Sequence, residues 1–134
     1  MKYTAKTLIV DDIHPIFLQK LQEANIPFDY LPDIDREETL LRIAPYHGLV
    51  IRSKFKVDAA LIDAAPSLTF IARGGAGMDN IDDAHAAARG ITLLNAPEGN
   101  RDAVGEHMVG MLLALMNNLH RGDRQIRNRQ WLRE

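Results

Sequence analysis

Apolar positions along the chain fall into short continuous runs separated by segments with helical spacing. Thr7-Leu8-Ile9-Val10 is uninterrupted and β-prone, the signature of a strand covered on both faces. From His14 to Ala24, Ile16, Phe17, Leu18 and Leu21 recur at helical intervals. Ile26-Pro27-Phe28-Asp29-Tyr30 reads as a second strand, and its proline, unable to donate to a ladder, places it at a sheet edge. Asp35, with Glu38 three residues on, marks a capped helix start. Gly48 to Arg52 is a third strand, and Asp58 to Ala65 a short helix closed by Pro66. Leu68 to Ala72, Asp82 to Arg89 and Ile91 to Leu94 complete the series as strand, helix and strand.

This alternation with short connections requires a parallel sheet wrapped by right-handed crossovers. The predicted fold class is α/β, a flavodoxin-like doubly wound sheet of about five strands in the order 2-1-3-4-5. Ligands in such folds lie beyond the carboxyl ends of the strands, so the loops there carry the functional argument.

The remainder of the chain follows another rule. From Asn100 to Leu119 it reads as one long helix, with Val104, Met108, Met111, Leu112, Leu115 and Leu119 forming a stripe at steps of three and four. Gly105 and Gly110 each cost about 1 kcal/mol of helix propensity relative to alanine, which makes sense where another backbone comes close. The tail from His120 to Glu134 is rich in arginine and has no closing strand or turn. The expected division is therefore a sheet domain over 1–99 and linking or dimerising helices over 100–134, with the chain expected to be a fragment.

The sequence has 134 residues, a formal net charge of −2 and no cysteine. The near-neutral charge offers no field to recruit nucleic acid or anionic membrane. Arg121, Arg124 and Arg127 share a helical face, read as solvated or partner-facing rather than nucleic-acid-binding. Without cysteine there is no disulfide scaffold, thiolate metal site or cysteine nucleophile, which fits a reducing cytoplasm. No apolar run approaches the roughly 20 residues of a membrane span, and the start of the chain lacks the apolar stretch of a signal peptide.

Three loops offer chemistry. Arg73-Gly74-Gly75-Ala76-Gly77-Met78-Asp79-Asn80 follows the fourth strand, and its glycines permit positive φ and close approach of an anion to the amides. As a dinucleotide fingerprint it is incomplete, because Asn80 occupies the third glycine position. Asn95 to Asn100 follows the fifth strand, where Asn100 is expected to cap the long helix or to meet a polar ligand group at its N-terminus. Arg52-Ser53-Lys54 ends the third strand and suits anion recognition. Glu106 and His107 point about 100° apart on one helix and form no catalytic pair, so His107 is read as structural. No HExxH or GxSxG occurs, leaving metal and nucleophilic catalysis without support.

Two rival classes remain. Leu8-Ile9-Val10-Asp11-Asp12 looks like the opening of a receiver domain, whose paired acids hold Mg²⁺, yet the third strand ends in Ile51-Arg52-Ser53-Lys54 without the required aspartate. A non-catalytic dimerising module is the other, since the apolar helix demands a partner.

Taken in order, Gly75-Ala76-Gly77-Met78-Asp79-Asn80-Ile81-Asp82, the segment from Ala88-Arg89-Gly90-Ile91 to Asn95-Ala96-Pro97, and Asn100 to His107 resemble the D-isomer-specific 2-hydroxyacid dehydrogenases, nearest to the phosphoglycerate dehydrogenase branch. The resemblance implies a longer protein of two doubly wound domains, the first binding substrate and a Rossmann domain, absent here, binding NAD. It further implies that the amides around Gly75, Ala76 and Gly77 hold the carboxylate of a small 2-hydroxy or 2-oxo acid, with Arg52, Ser53 and Asn100 lining the same cleft. The resemblance also implies that Ala76 and Val104 lie near the cofactor and that the helices of 100–134 form a homodimer. The family's catalytic Arg, Glu and His have no counterpart in these residues, so the chain alone is expected to be inactive.

Overall fold

Five parallel strands pair in the order β2-β1-β3-β4-β5, as the alternation predicts. The computed structural model describes residues 5–131; Leu132 to Glu134 of the expected tail and the first four residues lie outside the described residues. The strands are β1 (Thr7–Ile9), β2 (Phe28–Tyr30), β3 (Gly48–Ile51), β4 (Phe70–Arg73) and β5 (Thr92–Leu94). Between them run α1 (Pro15–Glu23), α2 (Arg36–Arg42), α3 (Ala59–Asp63) and α4 (Asp83–Ala88). β2, the strand preceded by Pro27, sits at an edge.

β1 and β3 are buried along their whole length, which is what continuous apolar runs covered by helices on both faces produce. Leu8, Leu49, Ile51 and Ile71 are fully buried and join Ile43, Leu61 and Ile62 from the crossovers in one core. Removing each such side chain from water contributes about 1.5–3 kcal/mol.

Three of the crossover helices begin by the same device. Asp35 accepts from the Glu38 amide at 2.8 Å, Asp58 from the Leu61 amide at 3.1 Å and Asp82 from the His85 amide at 3.0 Å. Each satisfies a donor that the first helical turn leaves without a partner. Asp58 also receives both bonds of the Arg36 Nη2, at 2.7 and 2.6 Å, tying α3 to the start of α2.

The chain divides into two compact units, Met1–Pro97 and Glu98–Glu134. The second contains α5 (Arg101–Met116) and α6 (Leu119–Arg127), preceded by a 3-10 turn at Pro97–Gly99. The expected single helix to Leu119 is thus interrupted. Asn117 turns its amide back to the Leu113 carbonyl at 2.9 Å, and Asn118 adopts φ 51°, a left-handed conformation that asparagine tolerates better than most residues. Nor is the apolar surface of α5 a stripe. Val109, Leu113 and Met116 are exposed alongside Met108, Met111, Leu112 and Leu115, so the helix is apolar nearly all round. A helix that is apolar on all sides is ordinarily covered by other protein rather than left on a wetted surface. No helix among the described residues is long and apolar enough to cross a membrane.

Candidate functional site

The carboxyl ends of β1, β3 and β4 bring three loops together in the first unit, and Asp11 organises them. Its Oδ2 accepts from the backbone amides of Arg52, Ser53 and Lys54 at 2.9, 2.9 and 3.1 Å. Burial by itself would raise the Asp11 pKa. The amides of Arg52, Ser53, Lys54 and Asp12 outweigh that and hold the carboxyl below its ordinary value. The acid that the receiver-like reading assigns to Mg²⁺ is therefore committed to the backbone. Its neighbour Asp12 accepts from the Tyr30 hydroxyl at 3.2 Å.

The same loop is fastened from two further sides. The Arg52 carbonyl accepts from Arg73 Nε at 3.1 Å and from Asn80 Nδ2 at 3.2 Å, and Asn80 Nδ2 also lies 3.3 Å from the Phe55 carbonyl. Asn80, out of place as a third glycine, is thus a strut between the β3 and β4 loops. The Lys54 ammonium donates to the Pro32 carbonyl and secures the far end.

The glycines after β4 serve space rather than backbone conformation. Among the described residues only Gly90 is a glycine with positive φ, so the expected use of that region at Gly74, Gly75 and Gly77 is not made. A Cβ on Gly74 would meet Arg52 Cγ at 3.0 Å and Ile13 Cδ1 at 3.1 Å; one on Gly75 would meet Arg73 Nη1 at 1.9 Å. These positions are small because guanidinium side chains lie across them. The Gly74 amide donates to the Ile51 carbonyl and the Gly75 amide to the Arg73 carbonyl, both at 2.8 Å. Among the described residues the amides of Ala76 and Gly77 have no protein partner. The Ala76 carbonyl accepts from Asn95 Nδ2 at 2.7 Å, and the Gly75 carbonyl from the Ala96 amide at 2.9 Å, so the β5 loop holds this segment open from behind.

Charge is distributed unevenly. The first unit has five arginines. Arg36, Arg42 and Arg89 pair with carboxylates, whereas among the described residues Arg52 and Arg73 have none. These two are the ones at the strands' carboxyl ends. Arg52 Nη1 donates only to the Asp12 carbonyl, at 3.2 Å. Arg52 and Ser53 are exposed, and Arg73 is half-buried. Arg73 and Asp11 were legible as a charged residue at each strand end, but nothing in their spacing distinguishes a free guanidinium from a paired one.

Asn100 and Val104 lie in the second unit. Asn100 occupies the residue before α5 but makes no capping bond with its side chain, against expectation; its backbone carbonyl accepts from the Val104 amide at 2.9 Å instead. Val104 is exposed on the first turns of α5. Within this unit Glu106 and His107 line a groove with Met111 and His120, between α5 and α6.

The first unit is thus a flavodoxin-like α/β sheet at whose strand ends, among the described residues, Arg52 and Arg73 lack carboxylate partners and two amides stand open. The family described as D-isomer specific 2-hydroxyacid dehydrogenase, catalytic domain, matches residues 7–120, and the chain belongs to that family. It is 33% identical over 129 residues to the D-3-phosphoglycerate dehydrogenase of Archaeoglobus fulgidus, covering 96% of this chain and 24% of that protein. A crystal structure from Pyrococcus horikoshii superposes with a TM-score of 0.86 at 26% identity, over 95% of this chain and 38% of that one. The NAD⁺-bound 3-phosphoglycerate dehydrogenase of Entamoeba histolytica gives 0.67 at 26% identity, over 82% and 38%. The chain thus spans about a quarter of the length of the curated relatives it matches. The receiver-like reading is overturned by this membership.

Proposed function

We propose that these residues are the substrate-binding portion of an NAD-dependent D-2-hydroxyacid dehydrogenase that acts on a small 2-hydroxy or 2-oxo acid in the cytoplasm. The observation that carries this is that Arg52 and Arg73, which among the described residues have no carboxylate partner, stand at the ends of β3 and β4, and that the loop after β4 carries the open amides of Ala76 and Gly77. Two backbone donors and adjacent fixed cations suit a carboxylate, each charge-assisted bond contributing about 1.5–3 kcal/mol. The Ser53 hydroxyl supplies a polar contact to the rest of the acid. Gly75 acts indirectly, by leaving room for the Arg73 guanidinium.

The β4 loop does not fit the pyrophosphate of a dinucleotide, because its third glycine position is Asn80, bound to the Arg52 and Phe55 carbonyls. NAD, which accepts the hydride when bound, belongs to a further domain of the longer protein; within the first unit Ala76 is the residue toward it. The 134 residues alone transfer no hydride, since a general acid and the dinucleotide site come from elsewhere.

Gly75→Ala tests the arrangement. The clash falls on the far end of a flexible side chain, so thermal stability changes by only about 0.5 kcal/mol. The Arg73 guanidinium is nevertheless displaced, and D-lactate affinity, read from amide shifts at Ala76 and Gly77, is expected to fall at least tenfold. Unchanged affinity would refute the role of Arg73.

The apolar circumference of α5 supports a second copy of the chain as partner of the 100–134 helices. Light scattering at micromolar concentration is expected to give a dimer mass, and a clean monomer would count against it.

A further inference from the structure

The two open amides after β4 belong to peptide groups whose other ends are tied down. A peptide group is planar, and in the trans form its N–H and C=O point in opposite directions; no cis bond occurs among the described residues. The Ala76 amide therefore shares a plane with the Gly75 carbonyl, and the Gly77 amide with the Ala76 carbonyl. The Gly75 carbonyl accepts from the Ala96 amide at 2.9 Å, and the Ala76 carbonyl from Asn95 Nδ2 at 2.7 Å. Each open donor is thus the far end of a plane anchored at its oxygen by the loop after β5.

The two anchors differ in kind. The backbone amide at position 96 is available with any residue there except proline. The anchor on the Ala76 carbonyl is a side chain, reaching across 19 positions in sequence. On either side the loop is fixed by other means. The Gly74 and Gly75 amides bond to the Ile51 and Arg73 carbonyls, the Ile81 amide to the Met78 carbonyl, and Asn80 to the Arg52 and Phe55 carbonyls. Among the described residues, the bond from Asn95 is the only hydrogen bond that Ala76 and Gly77 make. Asn95 is exposed, so burial gives it no other task. A donor on the carbonyl oxygen also polarises the peptide group, which strengthens its N–H as a donor to an anion. An amide held in place beforehand loses little freedom when the anion arrives.

We propose that Asn95 is a positioning residue for the substrate carboxylate: it fixes and polarises the Ala76–Gly77 peptide group and so holds the Gly77 amide ready, while the backbone of Ala96 holds the Ala76 amide independently. The proposal rests on the reading of those two amides as the carboxylate site. It carries an asymmetry. Losing the Asn95 side chain releases one donor of the pair and leaves the other, a pattern that general loosening of the loop does not produce.

The test compares the 134-residue chain with Asn95→Ala and Asn95→Gln by NMR, first free and then titrated with D-lactate. In free Asn95→Ala the Ala76 carbonyl carbon and the Gly77 amide nitrogen are expected to shift, with the Gly75 carbonyl carbon and the Ala76 amide nitrogen unmoved. D-Lactate should bind about five- to tenfold more weakly, and at saturation the Gly77 proton response should fall while that of Ala76 persists. Asn95→Gln keeps an amide donor and should return the affinity to within about threefold of wild type. Wild-type affinity and a wild-type Gly77 response in Asn95→Ala would overturn the positioning role alone. Equal loss at Ala76 and Gly77 with no recovery in Asn95→Gln would overturn it by making Asn95 a general support of the loop, as would collapse of the Leu8, Leu49 and Ile71 signals in Asn95→Ala. Wild-type Ala76 and Gly77 amides that ignore D-lactate would overturn the carboxylate reading, and the positioning role with it.

Discussion

Asp11→Ala is expected to free the loop after β3 and to lower the stability of the first unit by about 2–3 kcal/mol. One carboxylate oxygen accepts from three consecutive amides, those of Arg52, Ser53 and Lys54. Bonds to a charged acceptor contribute about 1.5–3 kcal/mol singly, but three on one oxygen share its charge, and water replaces part of the loss. A change of this size lowers the melting temperature by about 10 °C or more in a unit of this length. The direct readout is amide hydrogen exchange. Protection of Arg52, Ser53 and Lys54 should fall far more than that of Ile71, which answers only to the global change. Wild-type exchange at those three amides would refute the clamp. Function should fail with it, because the clamp aims Arg52 and presents Ser53.

The same residue gives a pH dependence with a defined sign. The folded Asp11 carboxyl lies below its ordinary value, so the folded state binds the proton less readily than the unfolded chain does. Its stabilising contribution is present above the unfolded carboxyl pKa and is lost as pH falls through the folded one. Asp11→Asn should therefore flatten the acid limb of a stability–pH curve, leaving a smaller deficit at low pH than at neutrality. A deficit of constant size across that range would show that the charge is not what matters.

Gly48→Ala is the second large effect, expected to cost about 2–3 kcal/mol through overpacking. Gly48 is buried on β3, paired in register with Thr7 of β1 and Phe70 of β4. A Cβ there would lie 2.1, 2.5 and 2.8 Å from atoms of the Phe70 ring. The ring covers the bare backbone of the neighbouring strand, an arrangement known to compensate glycine in sheets. Relief requires the ring to swing away, because the backbone is held by ladders on both sides. Thermal unfolding of Gly48→Ala, Phe70→Leu and the double variant tests this. The double variant should be more stable than the sum of the single losses predicts by at least about 1 kcal/mol. Strict additivity would mean that the ring and the glycine do not compete for the same space.

The sequence by itself determined the order and type of every element of the sheet unit. Its signals are local: continuous apolar runs for strands buried on both faces, aspartates at 35, 58 and 82 to start helices, and Pro27 to mark an edge. Alternation then leaves few topologies, since crossovers are right-handed and short. The glycine loop, Arg52 and Ser53 were legible as candidates for the same reason, lying at strand ends where such folds bind ligands.

Tertiary structure alone decided what those residues do for one another. That Asp11 clamps the β3 loop depends on a contact 41 to 43 residues away, and no local pattern encodes it. Whether Arg52 is free and Arg36 paired depends on where carboxylates fall in space. Gly74 and Gly75 look conformational in a linear reading and prove steric, because the Arg52 stem and Ile13 lie against the first and the Arg73 guanidinium against the second. The first helix of the second unit ends before its hydrophobic periodicity does, for a similar reason. Periodicity continues through Asn117 and Asn118, while the break arises from a side-chain bond and one left-handed residue. Hydrophobic pattern is a one-dimensional record of burial, so it transmits the elements and the core. Hydrogen-bond direction and charge pairing are properties of three-dimensional neighbours, and only the folded chain assigns them.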